Sequence, residues 1–220
     1  MTVLELFAGS RSIGKVADEL GYEVFSVDIN NFDKIDLVKD IEFVVKDDIP
    51  FIPDVIWASP PCTTYSIAAI GHHRDMGKPK TEFAAKSDRL VLNTLNLIKE
   101  FECKYFIENP RGYMRKMMFM KDLPRTTVWY CRYGDKAAKP TDIWSNHIYS
   151  LFNQNGWQPR QECFNGNKKC HHEAAPRGST IKKLKEKGVI VKKGGTQAKK
   201  NNYERSKIPY ELCKEILLSL

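Results

Sequence analysis

Residues 2–28 constrain the fold of this chain more than any other stretch. An apolar run, TVLELFA at 2–8, stops at Gly9, and a turn rich in serine and glycine follows (Gly9, Ser10, Ser12, Gly14). A helical stretch from Ile13 to Leu20 closes at Gly21, a residue suited to the C-terminal cap. A second apolar strand, YEVFSV at 22–27, then ends at Asp28. Strand, glycine turn, helix, strand and acid in that order open a nucleotide-binding α/β domain.

The alternation continues downstream. Leu37 and Val38 suggest a short third strand before Asp40. DVIWA at 54–58 is an apolar strand running into Ser59-Pro60-Pro61-Cys62. Residues 86–100 read as an amphipathic helix with Leu90, Leu92, Leu95, Leu97 and Ile98 on its apolar side. KYFI at 104–107 is a strand that stops at Glu108-Asn109-Pro110, and 126–131 with 141–144 read as a hairpin around Gly134. From about residue 145 the periodicity weakens, and order returns at 208–219 in a helix with Pro209 in its first turn. The expected organisation is a catalytic domain at 1–144, a small irregular basic subdomain at 145–204, and a helix at 205–220 that returns to the first domain.

Charge separates the same regions. Residues 1–135 carry 18 Lys and Arg against 20 Asp and Glu, whereas 136–220 carry 17 against 7. A basic appendage of net +10 on a nearly neutral domain points to a polyanion, most often nucleic acid. A solubilising basic surface is the plainer alternative. No apolar run approaches a membrane span, and MTVLELFAGS lacks the basic start of an export signal. A cytoplasmic protein with reduced thiols is therefore expected, with no membrane partner.

Ligands of open parallel sheets bind at the carboxyl ends of the strands. Gly9, Asp28, Asp40, Cys62 and Glu108 all fall there. Asp28 suits a bidentate contact to ribose hydroxyls, or is an ordinary turn aspartate. Cys62 follows two prolines that preset its direction, which suits a nucleophile better than a packing cysteine. Glu108 follows a buried strand, which suits a general acid or, alternatively, a salt-bridged carboxylate.

Together these residues resemble the DNA (cytosine-5) methyltransferase family, in the small form found in bacteriophage genomes. LELFAG at 4–9 is similar to the family's first motif, VDIN at 27–30 to its second, and Asp40-Ile41 to its acid–isoleucine pair. Pro61-Cys62 matches the nucleophile motif and FIEN at 106–109 the glutamate–asparagine motif. The chain departs from the family at Arg11 and Ser12, at Thr63, and at Pro110. Lys139 and Thr141 stand where the family places arginines.

The resemblance implies a Rossmann-like, doubly wound, mostly parallel sheet that uses S-adenosylmethionine. It places Phe7, Ala8, Gly9, Ser10, Asp28, Ile29, Asp40, Ile41 and Pro60 around that donor. It implies Cys62 as nucleophile, with Glu108 and Asn109 completing the catalytic set. The partner it implies is double-stranded DNA with a flipped cytosine, bound by a monomer. Ser66, His72, His73, Arg74, Lys139, Thr141, Arg177 and Thr196 are then the candidate nucleic-acid contacts, and protection from restriction is one candidate purpose. Three other readings stay open: methylation of an exocyclic nitrogen (N4 of cytosine or N6 of adenine), DNA binding without catalysis, and the same chemistry on RNA or nucleotides.

One constellation lies outside the resemblance. Cys163, Cys170, His171 and His172 fall within ten residues and are ligand types that structural zinc prefers, with Cys131 or His147 available to complete the set. Free thiols and phosphate-contacting histidines are the alternative.

Overall fold

The structure is a computed structural model that describes residues 1–172, Glu186 and 202–220. Seven strands form one sheet: β1 (Thr2–Leu6), β2 (Glu23–Asp28), β3 (Leu37–Val38), β4 (Val55–Ala58), β7 (Lys104–Pro110), β8 (Arg125–Trp129) and β9 (Pro140–Ser145). Their order is β3-β2-β1-β4-β7-β9-β8. β9 runs antiparallel to both neighbours, and the other pairings are parallel. The sheet is doubly wound and mostly parallel, as the alternation of elements predicts.

Both faces of the sheet are covered, which explains the near-continuous apolar strands. Successive side chains of a strand point to opposite faces. Val3 therefore packs in one core with Ile13, Phe106 and Leu212, whereas Leu4 packs in the other with Ile56, Val91 and Trp144. The first layer holds α1 (Ser12–Glu19) and α5 (Tyr210–Leu218). The second holds α3 (Glu82–Phe101).

α3 begins at Glu82, four residues before the sequence suggests. Thr81 caps it by accepting a hydrogen bond from the Ala84 amide. Its buried stripe is Ala84, Ser87, Leu90, Val91, Thr94, Leu97 and Phe101, and Leu92 faces out at 43% exposure. Small polar residues on the buried side hid the true face, because Ser87 and Thr94 satisfy their hydroxyls on carbonyls four residues earlier.

Two local departures matter for the site. β7 does not stop before Glu108 but continues through Asn109 and Pro110, paired with β9. The segment after Cys62 is also more ordered than a polar loop. It forms a short helix, α2 (Ile70–His73), and a ribbon of β5 (Arg74–Asp75) against β6 (Lys78–Pro79).

Residues 146–172 form turns and isolated bridges anchored by Trp157, whose ring meets Phe106 edge-on at 6.2 Å. α4 (Asn202–Ser206) leads into α5, which packs on α1. The Ile208 amide donates to Ser12 Oγ at 3.1 Å, and the Tyr210 hydroxyl donates to Glu19 at 2.8 Å. No helix among the described residues is long and apolar enough to cross a membrane.

Candidate active site

The strand order reverses between β1 and β4, and the loops leaving these strands make the crevice in which doubly wound sheets bind ligands. After β1 the chain turns at Phe7 (φ 58°), Gly9 (φ 47°) and Arg11 (φ 52°). Two of these three left-handed residues carry side chains, so the turn is held by its bonds. Asp28 supplies one: its Oδ2 accepts from the Gly9 amide at 3.0 Å, and its Oδ1 from the Asn30 amide at 2.8 Å.

Beneath the turn lies a buried charge cluster. Glu5 Oε1 accepts from the Ile13 amide at the start of α1, and Oε2 from the Ser26 hydroxyl. Burial pushes the Glu5 carboxyl up to about 7, against the lowering effect of the α1 amides and of Arg11. Arg11 stands where the family carries glycine. Its buried guanidinium donates to Ser26 Oγ at 3.0 Å and pairs with Asp18 at 3.1 Å. It thus serves as internal scaffold and leaves the cleft mouth clear.

A small cavity of about 60 Å³ opens above this cluster, lined by Phe7, Gly9, Ser10, Ser12, Ser59 and Ile208 among others. The candidate donor residues divide here. Phe7, Ala8, Gly9 and Ser10 line it, Asp28 borders it through Gly9, and Ile29 is exposed beside Asp28. Ile41 is instead part of the core at 2% exposure. Asp40 caps the following turn and pairs with Lys86 at 2.5 Å, which holds its carboxyl below the usual range against the opposing effect of burial. Pro60 is buried, and its neighbour Ser59 lines the cavity.

A second, larger cavity of about 270 Å³ lies at the ends of β4 and β7. Cys62 lines it with Ser66, Pro110, Arg111, Gly112 and Lys139. Cys62 begins a single turn of 3-10 helix, Thr63–Tyr65. Asn109, completely buried on β7, donates from Nδ2 to the Pro60 carbonyl at 2.8 Å. That bond pins the Pro60-Pro61-Cys62 loop to the sheet. Asn109 therefore positions the loop that carries Cys62. Gly112 brings the next loop close: a Cβ there would lie 2.6 Å from the Tyr65 carbonyl oxygen.

Glu108 is 5% exposed, and its Oε1 accepts from the Tyr130 hydroxyl at 2.8 Å. Tyr130 is fully buried on the turn after β8, and burial followed by the Glu108 charge pushes its hydroxyl pKa well above the ordinary value. Lys139 sits on the other face of that ring, Nζ 4.3 Å from its centroid, and donates to the Arg205 carbonyl at 2.8 Å. Burial raises the Cys62 thiol, and the Glu108 charge raises it further, whereas Lys139 and Arg205 oppose the shift. Thiol, carboxyl and ammonium therefore share one electrostatic environment.

The candidate nucleic-acid contacts fare unevenly. Ser66 and Lys139 line the Cys62 cavity, and His72 is exposed. His73 is half-buried, with Nδ1 3.2 Å from the Thr81 hydroxyl. Arg74 is corrected: it is 3% exposed, pairs with Asp88 at 2.6 Å, bonds the Thr64 carbonyl and stacks over Tyr65. It braces the loop behind Cys62 and is closed to DNA. Thr141 is also corrected, being fully buried beneath Tyr130, with its hydroxyl donated to the Lys139 carbonyl. Arg177 and Thr196 lie outside the described residues. Sequence reasoning missed Tyr130, Glu5 and Gly112. Tyr130 sits in an apolar run, TTVWYC, where its hydroxyl could not be told from core packing.

A doubly wound α/β sheet with a cleft at the β1–β4 reversal, and a cysteine and a buried glutamate at the ends of neighbouring strands, defines the class. The sequence profile of C-5 cytosine-specific DNA methylases matches residues 1–118, and the chain belongs to that family. A Frog virus 3 (isolate Goorha) protein named "Probable DNA (cytosine-5)-methyltransferase" is 32% identical over 154 residues, 66% of this chain and 71% of its own. A solved E. coli structure, described as a "putative DNA modification methyltransferase encoded within prophage", shares the fold at TM-score 0.52 and 15% identity over 75% of this chain. This chain spans only about half, 52%, of that protein's length.

Proposed function

We propose that the protein transfers a methyl group from S-adenosylmethionine to C5 of a cytosine in DNA through a transient Cys62 adduct. The observation that carries this reading is the convergence of three groups: Cys62 and Lys139 line one cavity of about 270 Å³, and the buried Glu108 and Lys139 both act electrostatically on the Cys62 thiol. The donor fits the residues present. A buried carboxylate and the α1 amides underlie a turn with two left-handed non-glycine residues, and Asp28 ties that turn to β2. When bound, S-adenosylmethionine supplies an electrophilic methyl group. Gly9 and Ser10 would hold its amino-acid end and Asp28 its ribose.

The chain's own groups solve the remaining difficulty, which is that C5 of cytosine is a poor nucleophile. The Cys62 thiolate adds to C6 and forms an Sγ–C6 bond. Glu108, once protonated, donates to N3 and so neutralises the negative charge that the addition moves into the ring. The Tyr130 hydroxyl holds one carboxyl oxygen of Glu108 and so directs the other. C5, now enamine-like, takes the methyl group, and the donor's sulfonium sulfur leaves as a neutral thioether. Solvent takes the C5 proton as the Cys62 thiolate leaves C6, and Glu108 takes back the N3 proton, which restores the aromatic ring. The base has to leave the helix stack to meet both groups, and Lys139 and Ser66 line the cavity that would receive it.

DNA carrying 5-fluorocytosine tests the adduct directly, because fluorine cannot leave C5 as a proton does. With S-adenosylmethionine present, a denaturant-stable protein–DNA species attached at Cys62 is expected. Its absence under conditions that methylate ordinary DNA would refute the covalent route.

A further inference from the structure

The cysteine–histidine group noted in the sequence is gathered into one place, with a changed membership. Cys131, Cys163, Cys170 and His172 each bring a ligand atom within 4.8 Å of all the others. Cys131 comes from the turn after β8, and the other three from the loop at 163–172. His171 is excluded, since its Nε2 lies 3.0 Å from the Asp135 carbonyl. His147 is excluded too, since its Nε2 lies 2.8 Å from the Ser219 carbonyl.

We propose that Cys131, Cys163, Cys170 and His172 form a structural zinc site that fastens the 163–172 loop to the active-site turn. A tetrahedral zinc with bonds of about 2.3 Å to sulfur and about 2.0 Å to nitrogen sets its ligand atoms about 3.5–3.8 Å apart. The His172 Nδ1 to Cys163 Sγ separation is 3.8 Å. His172 is 6% exposed and buried against the cluster, with Nδ1 turned toward the Cys163 sulfur. Asn167 Nδ2 donates to Cys163 Sγ at 3.5 Å, as outer donors do toward metal-bound thiolates. Trp129 and Ala138 close the cluster with apolar surface.

A disulfide explains less. It would use two of the three thiols and leave the third beside a buried imidazole. All four groups find a use only in a shared ion. The loop also needs one, because it has little core of its own: Phe164 is 61% exposed. The consequence reaches the proposed chemistry, because Cys131 directly follows Tyr130, the residue that holds Glu108. The metal would set the position of that turn and take no part in methyl transfer.

The test is metal analysis of the untagged full-length protein, purified under reducing conditions without chelator. One zinc per chain is expected. Cys163→Ser and His172→Ala should each abolish stoichiometric zinc, whereas His171→Ala and Cys103→Ser should retain it. A strong chelator should lower the melting temperature of the wild type, and added Zn²⁺ should restore it. If the cluster variants fail to fold, cobalt(II) reconstitution of the wild type decides, and a thiolate-to-cobalt charge-transfer band is expected. Wild-type protein without stoichiometric metal, iron in place of zinc, no such band, or zinc that depends on His171 and not on His172 would each overturn the assignment.

Discussion

Replacing Tyr130 with phenylalanine removes one atom from the site and little else. The ring remains, so its contact with Lys139 at 4.3 Å survives. What goes is the 2.8 Å hydrogen bond to Glu108 Oε1. Both residues are buried, so water cannot readily replace the donor. Hydrogen bonds to charged groups are worth about 1.5–3 kcal/mol, and each 1.4 kcal/mol is about tenfold in rate or equilibrium. If that energy orients Glu108 toward N3 in the transition state, Tyr130→Phe should slow single-turnover methyl transfer about ten- to a hundredfold. The donor cleft is separate, so affinity for S-adenosylmethionine measured by calorimetry should be unchanged. A melting point lowered by several degrees is also expected, since about 1 kcal/mol corresponds to about 2–4 °C at this chain length. The assay therefore has to run well below both transitions. A double-mutant cycle separates positioning from general damage. In a Glu108→Gln background the second substitution should cost little further rate. Wild-type rates in Tyr130→Phe, or losses that multiply independently in the double mutant, would refute the reasoning.

Three further outcomes follow from the same geometry. The Cys62 thiol is raised by burial first and by Glu108 second, so alkylation and methylation rates should climb with pH and not level off below 9. Lys139→Met removes an opposing positive charge and should slow both reactions at pH 8, by about tenfold for each pKa unit of further rise; equal alkylation rates in the two proteins would refute this. Glu5 is raised from 4.5 to about 7 by burial, so between those values the folded state holds the proton that the unfolded state has lost. Stability from this group is complete below 4.5 and falls by about 3 kcal/mol as the pH rises to 7, so Glu5→Gln should flatten thermal stability over that window. An unchanged slope would contradict it. Gly112→Ala drives a methyl group against the Tyr65 carbonyl at 2.6 Å and should cost about 1–3 kcal/mol in stability along with most activity; a variant that melts and methylates like the wild type would refute this.

The sequence made the sheet legible because parallel strands buried on both faces are short apolar runs between turns. The strand–turn–helix–strand opening, the 54–58 strand and the late hairpin all occur in the structure. What it hid was governed by pairing. β7 extends through Glu108-Asn109-Pro110 because β9 supplies partners for residues that alone look like a turn. Arg74 reads as a loop cation, yet a carboxylate 14 residues later and three carbonyls draw it inside. Cys62 and Glu108 were visible because each stands at the end of an apolar run. Tyr130 was not, because only the fold brings its hydroxyl to Glu108. The proposed zinc ligands were partly legible: local spacing gave Cys163, Cys170 and a histidine pair with Cys131 or His147 to complete the set, and only tertiary structure chooses Cys131 over His147 and His172 over His171.

Nucleoside mass spectrometry tests the central claim most directly. Purified protein is incubated with unmethylated DNA and S-adenosylmethionine, and the DNA is digested to nucleosides. The account predicts 5-methyldeoxycytidine from the wild type and none from Cys62→Ser. N4-methyldeoxycytidine, or 5-methyldeoxycytidine that persists in Cys62→Ser, would contradict it.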